Sequence, residues 1–308
     1  MYTRQCAGST RDKTKNHYSK RKESDKTKTY LECIPCFFKQ ALTAAQTARL
    51  DEQKIKDIFD RIAALIPKIS MDTTPPEIGM MVYKAIYQAS NIEDPFKEAK
   101  KKCTGYLLAS YDELRKKITE SADPLYTALK FAALSNAIDF GANPNFNIKE
   151  ELSTLYEKDF DLCEYDLFKK SLSDAKWILY IGDNAGETVL DRLLIEQLNK
   201  PVKYAVRSKP IINDATMEDA LEAGIDKVAE VISSGCDAPG TILGLCTEEF
   251  KRIFTEADMV ISKGQGNYET LSDQKRTIFF LLKIKCPVIA RDINIKTGSV
   301  VLITNKKK

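Results

Sequence analysis

The stretch Trp177-Ile-Leu-Tyr-Ile-Gly-Asp183-Asn184-Ala-Gly186-Glu187-Thr-Val-Leu-Asp191 constrains this chain more than any other part of it. Its apolar, largely β-branched or aromatic start is too short for a helix and suits a buried strand. The run breaks at Gly-Asp-Asn-Ala-Gly, and a helical pattern through Val189, Leu190, Leu193 and Leu194 begins at once. Strand, tight polar turn and helix form one unit, and in an open α/β sheet ligands bind beyond the carboxyl ends of strands. The turn supplies a carboxylate, an amide and free backbone N–H groups at a helix start. Capping of the helix by Asp183 or Asn184 accounts for the same residues. The stretch alone leaves both readings open.

From Lys176 onward, short apolar runs alternate with helical patterns, the mark of a mostly parallel sheet. Strands are expected at Trp177–Ile181, Val202–Val206, Lys227–Ile232, Met259–Ser262, Val288–Ala290 and Val300–Ile303. Helices are expected near Thr188–Leu198, Met217–Ala223, Thr247–Ala257 and Asp273–Lys283. Residues 30–175 instead read as helical almost throughout. Thr74-Pro75, Asp94-Pro95 and Asp123-Pro124 each pair a capping residue with proline at the first helical position. The last helix ends near Asp139-Phe140-Gly141, and shorter helical pieces fall near Lys149–Leu155 and Leu167–Leu172. The expected organisation is a basic tail (1–29), a helical subdomain (30–175) and a Rossmann-like α/β unit (176–305).

Charge and histidine content narrow the chemistry. The 308 residues carry a net +3, but the first 29 hold nine Lys/Arg against three Asp/Glu, leaving the rest at −3. The tail lacks apolar residues to bury and reads as a solvated, disordered arm, so nucleic acid is not an expected partner. The single histidine, His17, lies in it. Serine-triad, His-ligated zinc and imidazole-base chemistry are therefore nearly excluded for the body. No run approaches the roughly 18 apolar residues of a membrane span, and no signal peptide is evident. Eight cysteines in that setting suggest free thiols in the reducing cytoplasm. Cys33-Ile-Pro-Cys36 is the one close pair. It reads as two buried thiols on a helix turn, as a redox pair, or as half of a metal site whose other half Cys6, Cys103 and Cys163 do not spell out.

Three further loops follow strands: Arg207-Ser208-Lys209-Pro210-Ile-Ile-Asn213-Asp214, Ser233-Ser234-Gly235, and Lys263-Gly264-Gln265-Gly266-Asn267. Asp183, Asn184 and Asp214 are hard oxygen donors suited to Mg²⁺, Mn²⁺ or a related ion. Lys263 and Arg207 can neutralise an anion, and the glycine-rich turn can bring N–H groups close to oxygens. Metal-holding carboxylates, a lysine and a glycine loop are together the parts for phosphoryl transfer to water. Each feature alone has a plainer structural reading; their convergence at one sheet edge points to a site.

The pieces YLECIPCFFKQAL, LSNAIDFG, YIGDNAGETVLD, RSKPIINDAT, SSGCDAPGT, SKGQGNYETL and LLKIKCPVIARD, in this order between Tyr30 and Asp292, resemble the DUF89 family. These are the damage-control phosphatases with an ARMT1-like fold, and the chain looks like their compact archaeal-type branch. The resemblance implies a helical subdomain packed on a Rossmann-like, mostly parallel three-layer α/β unit. It also implies a phosphomonoester hydrolase acting on a small phosphorylated metabolite, with no organic cofactor. The implied divalent ion, Mn, Co, Ni or Mg, is held by Asp183, Asn184 and Asp214. By the same carry-over Glu187 and Gly186 border the substrate, and Lys263 contacts phosphate. Arg207, Ser234, Gly235, Gly264, Gly266 and Asn267 line the pocket, while Asn136 and Asp139 face it from the helical side. The expected reaction is in-line attack of a metal-activated water, with Asp183 or Asp214 orienting it.

Two other readings accommodate parts of the sequence. YIGDNAGE superficially resembles the first loop of a carboxyl methyltransferase that uses S-adenosylmethionine, although Asp-Asn stands where that loop wants glycines. A non-catalytic metabolite or redox module built on Cys33 and Cys36 is the alternative outside enzymes. Oligomeric state is not written in these features.

Overall fold

The computed structural model describes residues 27–135 and 157–305. Expectations for His17, Asn136, Asp139 and the helix near Lys149–Leu155 fall outside them. The mixed α/β architecture expected from the sequence is present. Seven strands form one sheet: β1 (Leu162–Cys163), β2 (Ile178–Ile181), β3 (Val202–Val206), β4 (Glu230–Ser233), β5 (Met259–Lys263), β6 (Phe279–Lys283) and β7 (Val300–Thr304). Their spatial order is β1-β7-β6-β5-β2-β3-β4. Every pair is parallel except β6 with β7. The chain runs outward from β2 through β3 to β4, then returns to place β5 on the other side of β2. The carboxyl ends of β2 and β5 thus bracket a topological switch point, where such sheets bind ligands.

Alternation along the strands assigns the two faces. Ile178 and Tyr180 of β2, with Met259 and Ile261 of β5, point into one core. Leu179, Ile181 and Val260 point into the other. The first face is covered by α4 (Lys97–Ala109), α5 (Tyr111–Thr119), α6 (Pro124–Ser135), α7 (Tyr165–Asp174) and α8 (Thr188–Leu198). The second is covered by α10 (Glu248–Glu256), α11 (Gln265–Leu271) and α12 (Pro287–Ile293). Short α9 (Met217–Glu222) packs beside β4. A third core joins α1 (Cys33–Thr47), α2 (Glu52–Leu65) and α3 (Pro75–Ser90), and reaches the α/β part through Ile211. In α1, Phe37, Ala41, Ala44 and Ala45 form the buried stripe at helical spacing. The first core runs across the expected boundary at residue 175, because α6 packs on β6, β7 and α8, while α4 packs on α8 and the turn before it. None of the helices is long and apolar enough to cross a membrane, among the described residues.

Two elements differ from expectation. The segment expected as a helix over Asp273–Lys283 ends in strand β6, buried on both faces. Val288–Ala290, expected as a strand, lies inside α12, with Pro287 at its first position. Both are short apolar runs, where period alone does not separate a buried strand from a buried helix. The two-residue edge strand β1 carries no periodic signal and was not expected. The strand expected over Lys227–Ile232 starts later, at Glu230, because Ile225–Lys227 forms a 3₁₀ turn. The proline starts hold for α3, where Thr74 and Glu77 form a capping box, and for α6, where the Asp123 carboxylate accepts from Tyr126 N–H.

Candidate active site

The loops after β2, β3 and β5 meet at the switch point. The first two are joined by an isolated antiparallel bridge between Asn184 and Asp214. Ala185 N–H donates to the Asn213 carbonyl (2.8 Å), and Ala215 N–H donates to the Asp183 carbonyl (2.7 Å). Ile212, just before, has φ +49°, a strained conformation for a β-branched residue. That strain sits where the chain reverses to bring Asp214 beside the β2 turn. Asp183, Asn184 and Asp214 are all buried, and all three line one cavity of about 420 Å³. The helical part closes it with Cys33, Cys36, Phe37, Pro76 and Tyr83, while Gln265, Glu269, Lys285 and Cys286 wall the α/β side.

The carboxylates are held against their own electrostatics. Burial, then the charges of Asp214 and Glu187, push Asp183 up to about 8. Burial also raises Asp214, against the opposing pull of Arg207. Gly264 (φ +81°) lies directly behind Asp183. A Cβ there would stand 1.9 Å from Asp183 Oδ2, so the carboxylate occupies space that any other residue would fill.

The donor set fits a hard divalent ion: two close, buried carboxylates plus an amide. Among the described residues no group of three His, Cys, Asp or Glu side chains could hold a metal ion, and the oxygen donor that stands beside the two carboxylates is the Asn184 amide. Its orientation is fixed chemically. Asn184 Nδ2 donates to Glu187 Oε1 (2.6 Å), and Glu187 Oε2 accepts from Lys263 Nζ (2.7 Å). A carboxylate paired with an ammonium is an acceptor only, so the amide nitrogen faces Glu187 and the amide oxygen faces away.

Lys263, expected at the phosphate, is not on the cavity wall. It is fully buried beneath the turn, donating to Glu187 and to Asp191 Oδ1 (2.7 Å), with Ser135 Oγ at 3.5 Å. Asp191 is pinned in turn by Tyr180 OH on Oδ1 and Tyr204 OH on Oδ2, each at 2.7 Å. These tyrosines are register partners on β2 and β3 with stacked rings. Alternation gave the signal: two residues after Ile261, Lys263 points to the same buried face. Glu187, expected to border the substrate, is likewise 2% exposed and lies behind Asn184.

Arg207 is also spent inside the protein. Its Nε donates to Asp214 Oδ2 (2.7 Å), one terminal nitrogen to Thr241 Oγ1 (2.9 Å) and the other to Asn267 Oδ1 (3.1 Å). The anions it neutralises are Asp214 and, at 3.8 Å from its other end, Asp183. Asn267 ties the loops together by donating to the Gly182 and Lys263 carbonyls. Ser234 donates to the Val206 carbonyl, and neither it nor Gly186, Gly235, Gly264 or Asn267 is on the cavity wall. Gly266 is.

Lys285, unexpected from the sequence, is the exposed cation on the wall whose charge acts on both Asp183 and Asp214. A lysine two residues beyond the apolar run of β6 was the available signal. Cys33 and Cys36 do reach the cavity. Burial pushes the Cys33 thiol up to about 11, away from the reactive thiolate. All seven described cysteines are free.

Comparison with known proteins gives consistent matches. The family description "damage-control phosphatase ARMT1-like domain" matches residues 29–301. A damage-control phosphatase of Pyrococcus horikoshii is 34% identical over 289 residues, covering 91% of this chain and 99% of that one. A damage-control phosphatase of Archaeoglobus fulgidus is 31% identical over 280 residues, 87% of this chain and 96% of its own length. The crystal structure of a DUF89 family protein from Pyrococcus horikoshii superposes with a TM-score of 0.83 at 34% identity, covering 91% of this chain and 99% of that chain.

Proposed function

The chain belongs to the damage-control phosphatase ARMT1-like family, and from that premise we propose that it is a divalent-metal-dependent hydrolase of phosphate monoesters of small metabolites. The observation that carries this reading is the trio Asp183, Asn184 and Asp214, buried together in one cavity at the switch point. Two buried carboxylates with raised proton affinity favour an added cation. A divalent ion there supplies Lewis acidity toward a phosphate oxygen and lowers the pKa of a bound water.

The chain's own residues do the remaining work. Arg207 takes Asp214 Oδ2, leaving Oδ1 as the ligand atom. Glu187 turns the Asn184 amide so that its oxygen serves the site. Lys285 meets the phosphate's negative charge at the cavity wall, the role first expected of Lys263. The helical wall covers one side of the ester, and its apolar residues strengthen these interactions by lowering the local dielectric.

A panel of phosphorylated metabolites assayed with Mn²⁺, Co²⁺, Ni²⁺ and Mg²⁺ tests the proposal. Hydrolysis that stops on chelation is the expected result. Indifference to chelator, with carboxyl methylation from S-adenosylmethionine, would replace it by the methyltransferase reading.

A further inference from the structure

Besides Glu32, which pairs with Arg291 at the surface, the cavity wall holds one acidic side chain that the phosphatase chemistry leaves unused. Glu269, on α11 (Gln265–Leu271), lines the same space as Asp183 and Asp214 and is 7% exposed. Gln265, one turn earlier, donates its amide to Glu269 Oε1 (2.9 Å) and also to Cys286 Sγ (3.4 Å). Gln265 is itself fixed, accepting at Oε1 from Lys285 N–H (3.0 Å). The other groups that bear on Glu269 are Asp292 and the Cys33 and Cys286 thiols, and none of the described lysines or arginines pairs with it. Burying a carboxyl costs free energy unless its lone pairs find donors. Here one oxygen is held by a positioned amide, and the other is left for whatever fills the cavity.

Resting on the phosphatase reading, we infer that Glu269 is a specificity-determining residue that accepts a hydrogen bond from a hydroxyl or ammonium group on the substrate's leaving group. Burial, then the Asp292 charge, push its carboxyl up to about 7, as expected where the partner arrives with the ligand. The neighbouring wall of Phe37, Tyr83 and Pro76 offers shape and apolar contact but no acceptor of comparable strength. A small site with one buried acceptor rejects analogues lacking the donor, because the acceptor is then left unpaired. The leaving group that fits is a polyol or an amino alcohol rather than a plain alkyl chain.

The test uses the full chain with Mn²⁺ and three probes: a hexose 6-phosphate, 2-aminoethyl phosphate and p-nitrophenyl phosphate, whose leaving group carries no donor in the bound ester. Glu269→Met is expected to lower kcat/KM for a donor-bearing ester by about tenfold to a hundredfold. Hydrolysis of p-nitrophenyl phosphate should stay within about twofold, which also reports an intact fold. Glu269→Gln, which keeps an amide oxygen, should fall between the two. Which donor-bearing ester is affected tells hydroxyl from ammonium. Should the Met variant lose all three activities, the Gln variant decides by the same selectivity. An equal fall on all three probes in Glu269→Gln, or no fall on any, overturns this inference and leaves the phosphatase reading standing. So does an intact chain that hydrolyses p-nitrophenyl phosphate but neither of the other two. Failure of the intact chain on all three probes overturns both.

Discussion

Asn184 and Asp214 face each other across a single antiparallel bridge, among the described residues the one place where the β2 and β3 loops touch as strands do. The bridge has a direct consequence for chemistry. It carries the Asp183–Asn184 turn and Asp214 as one rigid unit, so the spacing of the proposed ligands is set by backbone bonds rather than by flexible side chains. The site is in that sense prebuilt by the sheet.

The Lys263 network beneath the turn is the first place to probe. Lys263→Met leaves Glu187 and Asp191 buried without their cation, and such a loss costs about 3–5 kcal/mol. Urea denaturation should show a destabilisation of this size. Adding Glu187→Gln should restore part of the stability but not full metal affinity, since a glutamine can turn either its oxygen or its nitrogen toward the Asn184 amide and no longer fixes it. A Lys263→Met chain of normal stability would contradict the network's role.

Gly264→Ala tests the wall behind Asp183. The alanine must hold φ near +81° and its methyl must displace the carboxylate. The backbone part alone costs on the order of 1–3 kcal/mol. The variant should melt earlier and bind Mn²⁺ at least about tenfold more weakly, because each 1.4 kcal/mol of lost ligand geometry is a factor of ten. Unchanged Mn²⁺ affinity in a folded variant would remove Gly264 from the site.

The pH dependence of the metal-free chain follows from Asp183. Its carboxyl titrates near 8 in the folded chain against an ordinary value of 3.8. Between those values the folded chain holds a proton the unfolded chain has released. Stability from this group is therefore full below the ordinary value and declines as pH rises through about 8. The metal-free melting temperature should fall between pH 6 and pH 8.5, and Asp183→Asn should flatten that slope. Protons and metal compete for the same oxygens, so the stabilisation added by Mn²⁺ should grow over this range. A metal-free chain that gains stability toward pH 8.5 through Asp183 would contradict the assigned shift.

Much of the α/β half was legible because β2, β3 and β5 each end where an apolar run meets glycine or a charged residue. The interchange at Phe279–Lys283 and Val288–Ala290 marks the limit of periodicity, since the five-residue strand and the seven-residue helix are both short and both carry a brief apolar run. The site separates in the same way. Asp183, Asn184 and Asp214 announce themselves as polar residues beyond strand ends, and the structure brings them together. The partners of Lys263 and Arg207 are distant in sequence or on another element, so only the fold reveals that those charges are already satisfied. Glu269 and Lys285 read as ordinary surface residues until α1 is seen to close the cavity over them.

By the function proposed above, Asp183, Asn184 and Asp214 hold a divalent ion that phosphate-ester hydrolysis requires. The most direct test is calorimetric titration of Mn²⁺ into the metal-stripped chain and its Asp183→Asn variant, with p-nitrophenyl phosphate hydrolysis and circular dichroism measured on the same samples. The intact chain should bind Mn²⁺ and gain activity in proportion to occupancy, while the folded variant does neither. Hydrolysis by the intact chain without Mn²⁺ binding, or a folded Asp183→Asn chain that binds and hydrolyses as well as the parent, would contradict it.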